Sequence, residues 1–186
     1  MLTMGASMML TGGFHEDGLA DTSDALGGGY ERSQVLIILK DSRIGTFGGC
    51  ALVVSIVGRA LLLARVAPDA IWILPVVGSL ARTGPLWLMV TMPYATSSET
   101  AKSRDVTRAG LLQASVATGW ALLVAVPLAV VGHSISRTVA AFVMCAVVTV
   151  VTGLRYRARV GGITGDFLGA TEQLCELAIF ACFAWN

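Results

Sequence analysis

The sequence predicts an all-α, polytopic integral membrane helical bundle, on three observations. Of 186 residues, 55% are hydrophobic and only 13% charged, about half the roughly 25% charged share of a soluble domain, and mean hydropathy is +0.74. Five stretches are apolar over the roughly 20 residues that a helix needs to cross a bilayer core. The charges gather in the segments between those stretches.

Taken in order, the opening MLTMGASMMLTGG is apolar but has no basic flank or cleavage site, so it does not read as a secretory signal. It is too short to span alone and reads as the end of a preceding helix. The five full spans are Gly48–Val66, Ala70–Met92, Leu111–Val131, Arg137–Gly153 and Phe167–Trp185. Short turns at Pro68-Asp69 and Gly132–Ser136 make the first four spans two antiparallel hairpins. No repeat or second domain interrupts residues 1–186. The cysteines (Cys50, Cys145, Cys175, Cys182) all fall in apolar runs without a C-x-x-C pair, which predicts buried, reduced thiols.

Charge orients the bundle. A net charge of +1 excludes bulk attraction to nucleic acid. Hairpins return the chain to the side it left, so segments 14–47, 93–110 and 154–166 share one side. They hold Arg32, Lys40, Arg43, Lys102, Arg104, Arg108, Arg155, Arg157 and Arg159, against only Arg65 and Arg137 opposite. The positive-inside rule puts these three loops in the cytoplasm.

The one acidic stretch, FHEDGLADTSDALGGG (Phe14–Gly29), lies on that side. If it is helical, Asp17, Asp21 and Asp24 fall at i, i+4 and i+7 and share a face, while Glu16 points elsewhere and is expected to be dispensable. Three like charges on one face repel unless a cation lies between them, and hard oxygen ligands suit Mg²⁺ or Mn²⁺ with phosphate. His15, just before this face, suits a base, ligand or donor. The alternative is a solvated acidic face, or a helix capped by Asp17 or Thr22.

Beyond the triple glycine, Leu36, Leu39, Lys40 and Arg43 recur at helical spacing, which predicts an amphipathic interfacial helix. Its cations are either anchors to anionic lipid or a clamp for phosphate. Near the end, Gly161, Gly162 and Gly165 crowd a loop before Asp166, which either caps the last span or joins the site. Arg59, Arg82, Glu172 and Glu176 lie inside spans, where an unpaired arginine costs about 2.5–3.5 kcal/mol, and are expected to pair.

TGGFHEDGLADTSDALGGG (Thr11–Gly29), KDSRIGTFGG (Lys40–Gly49) and GGITGDFLGATEQLCEL (Gly161–Leu177) resemble, in order and separation, the motifs of the cobalamin synthase family, the adenosylcobinamide-GDP ribazoletransferases. The chain departs from the pattern at Ala25, where the family motif has glycine, and after Pro93-Tyr94, where a Gly-Leu-Gly is missing. Family members are longer at the N-terminus, so the N-terminal part of the family domain is expected to be missing here. The resemblance implies an inner-membrane, Mg²⁺-dependent transferase joining adenosylcobinamide-GDP to α-ribazole or its 5′-phosphate with release of GMP, and it leaves room for a homo-oligomer. It also implies that Asp17, Asp21 and Asp24 hold the metal, that Lys40 and Arg43 contact phosphate oxygens, and that Asp41 and Asp166 complete the shell. His15 or one aspartate takes the proton. A CDP-alcohol phosphotransferase fits less well, because the DGLAD run has Asp21 in place of that family's arginine. A transporter with an acidic gate needs a repeat that is not seen.

Overall fold

The computed structural model describes residues 2–95, 109–130 and 135–185. Lys102, Arg104 and Arg108 lie outside them. The described residues form helices α1 (Leu2–Thr11), α2 (Phe14–Gly28), α3 (Arg32–Ile38), α4 (Thr46–Arg65), α5 (Ala70–Ala81), α6 (Thr83–Thr91), α7 (Leu111–Val130), α8 (Ile135–Val160) and α9 (Gly165–Ala184). Five segments have the length and hydropathy of membrane crossings: Thr46–Arg65, Ala67–Thr91, Leu111–Val130, Ile135–Val160 and Gly165–Ala184. The protein is a multi-pass, all-α bundle, with span boundaries shifted from those read in the sequence.

Two of those shifts have clear causes. The expected loop from Leu154 is helix, because α8 continues to Val160 and carries Arg155, Arg157 and Arg159 on its last turns; long arginine stems let the charge reach water while the backbone stays helical. The second span breaks at Arg82, between α5 and α6. Pro85 has no N–H for the carbonyl four residues back and its ring crowds that turn. Thr83 Oγ1 donates to the Leu80 carbonyl at 2.8 Å, next to the Ala81 carbonyl that Pro85 leaves without its helical donor.

The last helix is the axis of the bundle. Two thirds of the α9 span is buried (67%), against 17% for α4 and 22% for α7 and α8. The expected first hairpin is therefore not a packed pair: α4 leans on α2 and α9 and hardly touches α5, which also packs on α9. The reason lies in the α4 stripe that is buried, Gly48, Ser55, Arg59 and Leu63, because its polar members find partners only on α2 and α9. Cys145 and Cys175 are buried as expected, but Cys50 on α4 is exposed.

At the motif end, Gly12 and Gly13 adopt left-handed φ of 66° and 71° and turn α1 into α2. The α2 helix then crosses α9 with almost no side chain between them. A Cβ on Gly18 would lie 2.7 Å from the Asp166 carbonyl oxygen, and one on Gly169 would lie 3.2 Å from His15 Cα; glycine here permits backbone contact. The loop before α9 is clipped to the segment after α6, with Ile163 N–H donating to Pro93 O (2.9 Å) and Ala95 N–H to Ile163 O (2.8 Å).

The amphipathic helix expected through Arg43 ends at Ile38. Lys40 lies in the turn that follows, and Arg43 lies past it. The helix closes in a backbone turn, Lys40 N–H to Ile37 O at 3.1 Å and Asp41 N–H to Ile38 O at 3.0 Å, and Asp41 then accepts the Arg43 backbone N–H at 3.1 Å, the local bond by which Asp favours turns.

Candidate active site

The acidic stretch is helical, so Asp17, Asp21 and Asp24 do share a face of α2. Their environments differ along it: Asp17 is exposed, Asp21 half-buried and Asp24 buried. A fourth carboxylate joins them. Thr164 caps α9 by accepting the Phe167 N–H at 3.3 Å, so Asp166 is not the cap. It lies instead in the first turn of α9, against Gly18. Burial first, then the like charges of Asp17, Asp166 and Asp24, push the Asp21 carboxyl up to about 6. Crowded carboxylates raise one another in this way unless a cation neutralises them.

Asp24 has a second role that its spacing does not reveal. Its Oδ2 accepts the Gly45 N–H at 2.7 Å and its Oδ1 the Gly48 N–H at 2.8 Å. These are amides at the start of α4, where backbone donors lack intrahelical partners. Asp24 thus ties the acidic face to α4. A Cβ on Gly48 would run into the Asp24 carboxylate and lie 2.8 Å from the Ala20 carbonyl oxygen, whereas one on Gly49 meets only Ile44 at 4.0 Å. Gly48→Ala is expected to lower stability by about 1–3 kcal/mol in thermal unfolding of the detergent-purified protein, and Gly49→Ala to leave it unchanged.

The KDSR segment forms the rim of this region. Arg43 Nε and Nη2 donate to Asp41 as a fork, at 2.9 Å and 2.6 Å. That fork holds the Asp41 carboxyl down to about 2 and pushes the Arg43 guanidinium up. An open cleft of about 550 Å³ lies between Asp24, Asp41, Arg43, Gly45, Thr46 and Phe47. Lys40 is exposed on the preceding turn and does not line the cleft.

His15 does not join the aspartates. It lies two residues from Asp17, about 160° around the helix at 100° per residue, and its Nδ1 is 3.6 Å from Glu172 Oε2. Burial first, then the Arg82 charge, hold the imidazole below its ordinary value, so it is neutral at pH 7. It faces a buried polar network that links α2, α4 and α9 with Arg82 at the break between α5 and α6. Gln173 Nε2 donates to Glu16 (3.3 Å) and Glu172 (3.1 Å), and its Oε1 accepts from Ser55 (3.3 Å). Arg59 donates to Glu176 (2.8 Å) and to Glu16 (3.2 Å), and Arg82 pairs with Glu172 at 3.5 Å.

The expected pairing of the intramembrane arginines and glutamates is therefore present. Glu16, expected to be dispensable, is not a bystander: it is 8% exposed and is the contact through which α2 meets Arg59. It does point away from the aspartates, but into the bundle rather than into water. Gln173 and Ser55 escaped the sequence reading, although a glutamine beside Glu172 in an apolar span was a signal.

Fold and site together define a multi-pass membrane protein with a cluster of carboxylates where α2 crosses α9. A profile of the cobalamin-5-phosphate synthase family matches residues 1–184. The chain belongs to that family. It is 40% identical to an adenosylcobinamide-GDP ribazoletransferase of Leptothrix cholodnii over 188 residues, covering 96% of this chain and 70% of the relative. Proteins of the same name from Polaromonas sp. (36% identical, 97% and 70% covered) and Rhizobium etli (37% identical, 99% and 72% covered) are also similar. No solved structure matches the chain.

Proposed function

We propose that this chain joins adenosylcobinamide-GDP to α-ribazole or its 5′-phosphate with release of GMP, the final step of cobalamin nucleotide loop assembly. The observation that supports it most is the gathering of Asp17, Asp21, Asp24 and Asp166 where α2 crosses α9, in a chain whose relatives carry that activity in their name. A ribose hydroxyl oxygen bonds to the cobinamide-side phosphorus. The bond from that phosphorus to the GMP oxygen breaks, and GMP leaves with the electron pair.

The chain's own residues divide the work. Asp17, Asp21 and Asp166 are the carboxylates that would hold Mg²⁺ where α2 crosses α9; the ion would neutralise charge on the diphosphate and on the leaving GMP. Asp24 seats the acidic face on α4 and adds its remaining lone pairs. Arg43 lines the cleft beside Asp24, and because its pair with Asp41 is exposed it is weakly held, so a phosphate oxygen can take the fork. Lys40, exposed on the turn before the cleft, adds positive charge nearby. The hydroxyl proton passes to the aspartate face, since His15 is turned toward Glu172.

The basic ends support a cytoplasmic site at the inner membrane. Arg155, Arg157 and Arg159 crowd the last turns of α8 on the side where α2 lies. The test is direct: membranes carrying the chain receive adenosylcobinamide-GDP, α-ribazole phosphate and Mg²⁺. GMP is expected to appear in step with the cobalamin product and to stop on chelation. No GMP with both substrates and metal present would overturn the reading.

A further inference from the structure

The α2 helix has a second working face, opposite its aspartates. Leu19, Thr22, Ser23 and Leu26 roof a groove of about 360 Å³ whose floor is α9 and whose walls are α4 and α8. Those walls do not pack on each other, so the groove is open toward the bilayer. Val54 is 64% exposed and Val151 59% exposed on its two flanks, and even on the otherwise buried α9 the floor residue Leu174 is 38% exposed. The lining is almost wholly hydrocarbon, which inside the membrane has lipid as its solvent.

Five polar side chains in the lining, Ser23, Ser55, Thr152, Tyr156 and Gln173, have hydrogen-bond partners in the protein, and two, Arg155 and Thr22, do not. Arg155 lines the groove five residues before the end of α8, about 7.5 Å at 1.5 Å per residue. It is exposed and has no hydrogen-bond or ion-pair partner among the described residues. Thr22 is 6% exposed, lines the same groove, and its Oγ1 is buried without a hydrogen-bond partner. A buried hydroxyl left unbonded is destabilising, so an acceptor is called for. A cation at headgroup depth above an apolar groove is the arrangement that selects anionic phospholipid.

We propose that this groove holds an acyl chain of an anionic phospholipid, with the headgroup phosphate on Arg155 and an ester oxygen accepting the Thr22 hydroxyl. One side of the acidic helix then rests on lipid rather than on protein. The lipid class around the protein therefore bears on how firmly α2 is seated.

Lipid retention tests this. The chain is purified from mixed micelles of phosphatidylglycerol and phosphatidylcholine, and the retained lipid is counted by native mass spectrometry. The wild type is expected to keep phosphatidylglycerol several-fold over phosphatidylcholine. Arg155→Gln, a change at an exposed position, is expected to bring that ratio to one without lowering the thermal midpoint in detergent. Ala51→Phe, which fills the groove from α4, is expected to reduce retention of both lipids. Equal retention by the wild type, or an unchanged preference in Arg155→Gln, would overturn the proposal. Displacement of the retained lipid by α-ribazole phosphate would also overturn it, because the groove would then be a substrate pocket.

Discussion

Asp21→Asn is expected to lower GMP release by roughly 10²–10⁴-fold and, in metal-free buffer at pH 7–8, to make the protein more stable. The two effects have one cause. In the folded chain the Asp21 carboxyl is pushed up to about 6 from 3.8, so between those values the native state holds a proton that the unfolded state has already released. Stability then falls as pH rises through that window, and the deficit is complete above about 6. The rise from 3.8 to about 6 corresponds to roughly 3 kcal/mol. Because Asp21 is only half-buried, solvent screening reduces the usable figure to about 1 kcal/mol.

Asparagine removes the half-buried charge and its repulsion with the neighbouring carboxylates, together with one ligand oxygen. Thermal unfolding of the detergent-purified protein should therefore show a metal-free midpoint above wild type for Asp21→Asn, and a Mg²⁺-induced rise for wild type alone. A variant that turns over normally, or that gains the same rise from Mg²⁺, would remove Asp21 from the metal site. Asp17→Asn should lose activity similarly but gain less stability, since Asp17 is exposed.

Arg59→Leu is expected to cost about 3–5 kcal/mol, the usual consequence of removing one partner from a buried pair. Arg59 is 3% exposed and serves Glu16 and Glu176 at once, so its loss leaves two carboxylates in the bundle without a counter-charge. The triple variant Arg59→Leu, Glu16→Gln, Glu176→Gln should recover most of the loss, because it removes the stranded charges. Arg82→Gln should cost less, as its side chain is 43% exposed and 3.5 Å from Glu172. Thermal midpoints of the four proteins in one detergent decide the matter. An Arg59→Leu midpoint equal to wild type would mean that the network does not hold α2 on α4 and α9.

The motifs told much of the site in advance, because α2 is local. Spacing of i, i+4 and i+7 places Asp17, Asp21 and Asp24 on one face of any helix, whatever surrounds it. The division of labour among them was not legible. Asp24 takes the Gly45 and Gly48 amides only because α4 starts beside it. Asp166 was open to a capping role that Thr164 fills instead. The Lys40 and Arg43 pair read as one helical face because periodicity cannot show the turn after Ile38 or the Asp41–Arg43 bond beyond it.

The sequence by itself determined the class of fold, the number of crossings, the helix beneath the acidic stretch and the pairing need of its intramembrane charges. Each of these follows from hydropathy, helical period and the cost of charge in lipid, which act over a few residues or on one side chain. Only the tertiary structure decided that α9 would be the axis, that Glu16 would be buried and that His15 would turn from the aspartates. Those outcomes depend on contacts between distant parts of the chain, such as Arg59 with Glu176, 117 residues apart, and Gln173 with Glu16, 157 apart. A periodicity cannot register such contacts, because it knows which side of a helix a residue occupies but not which helix will lie there.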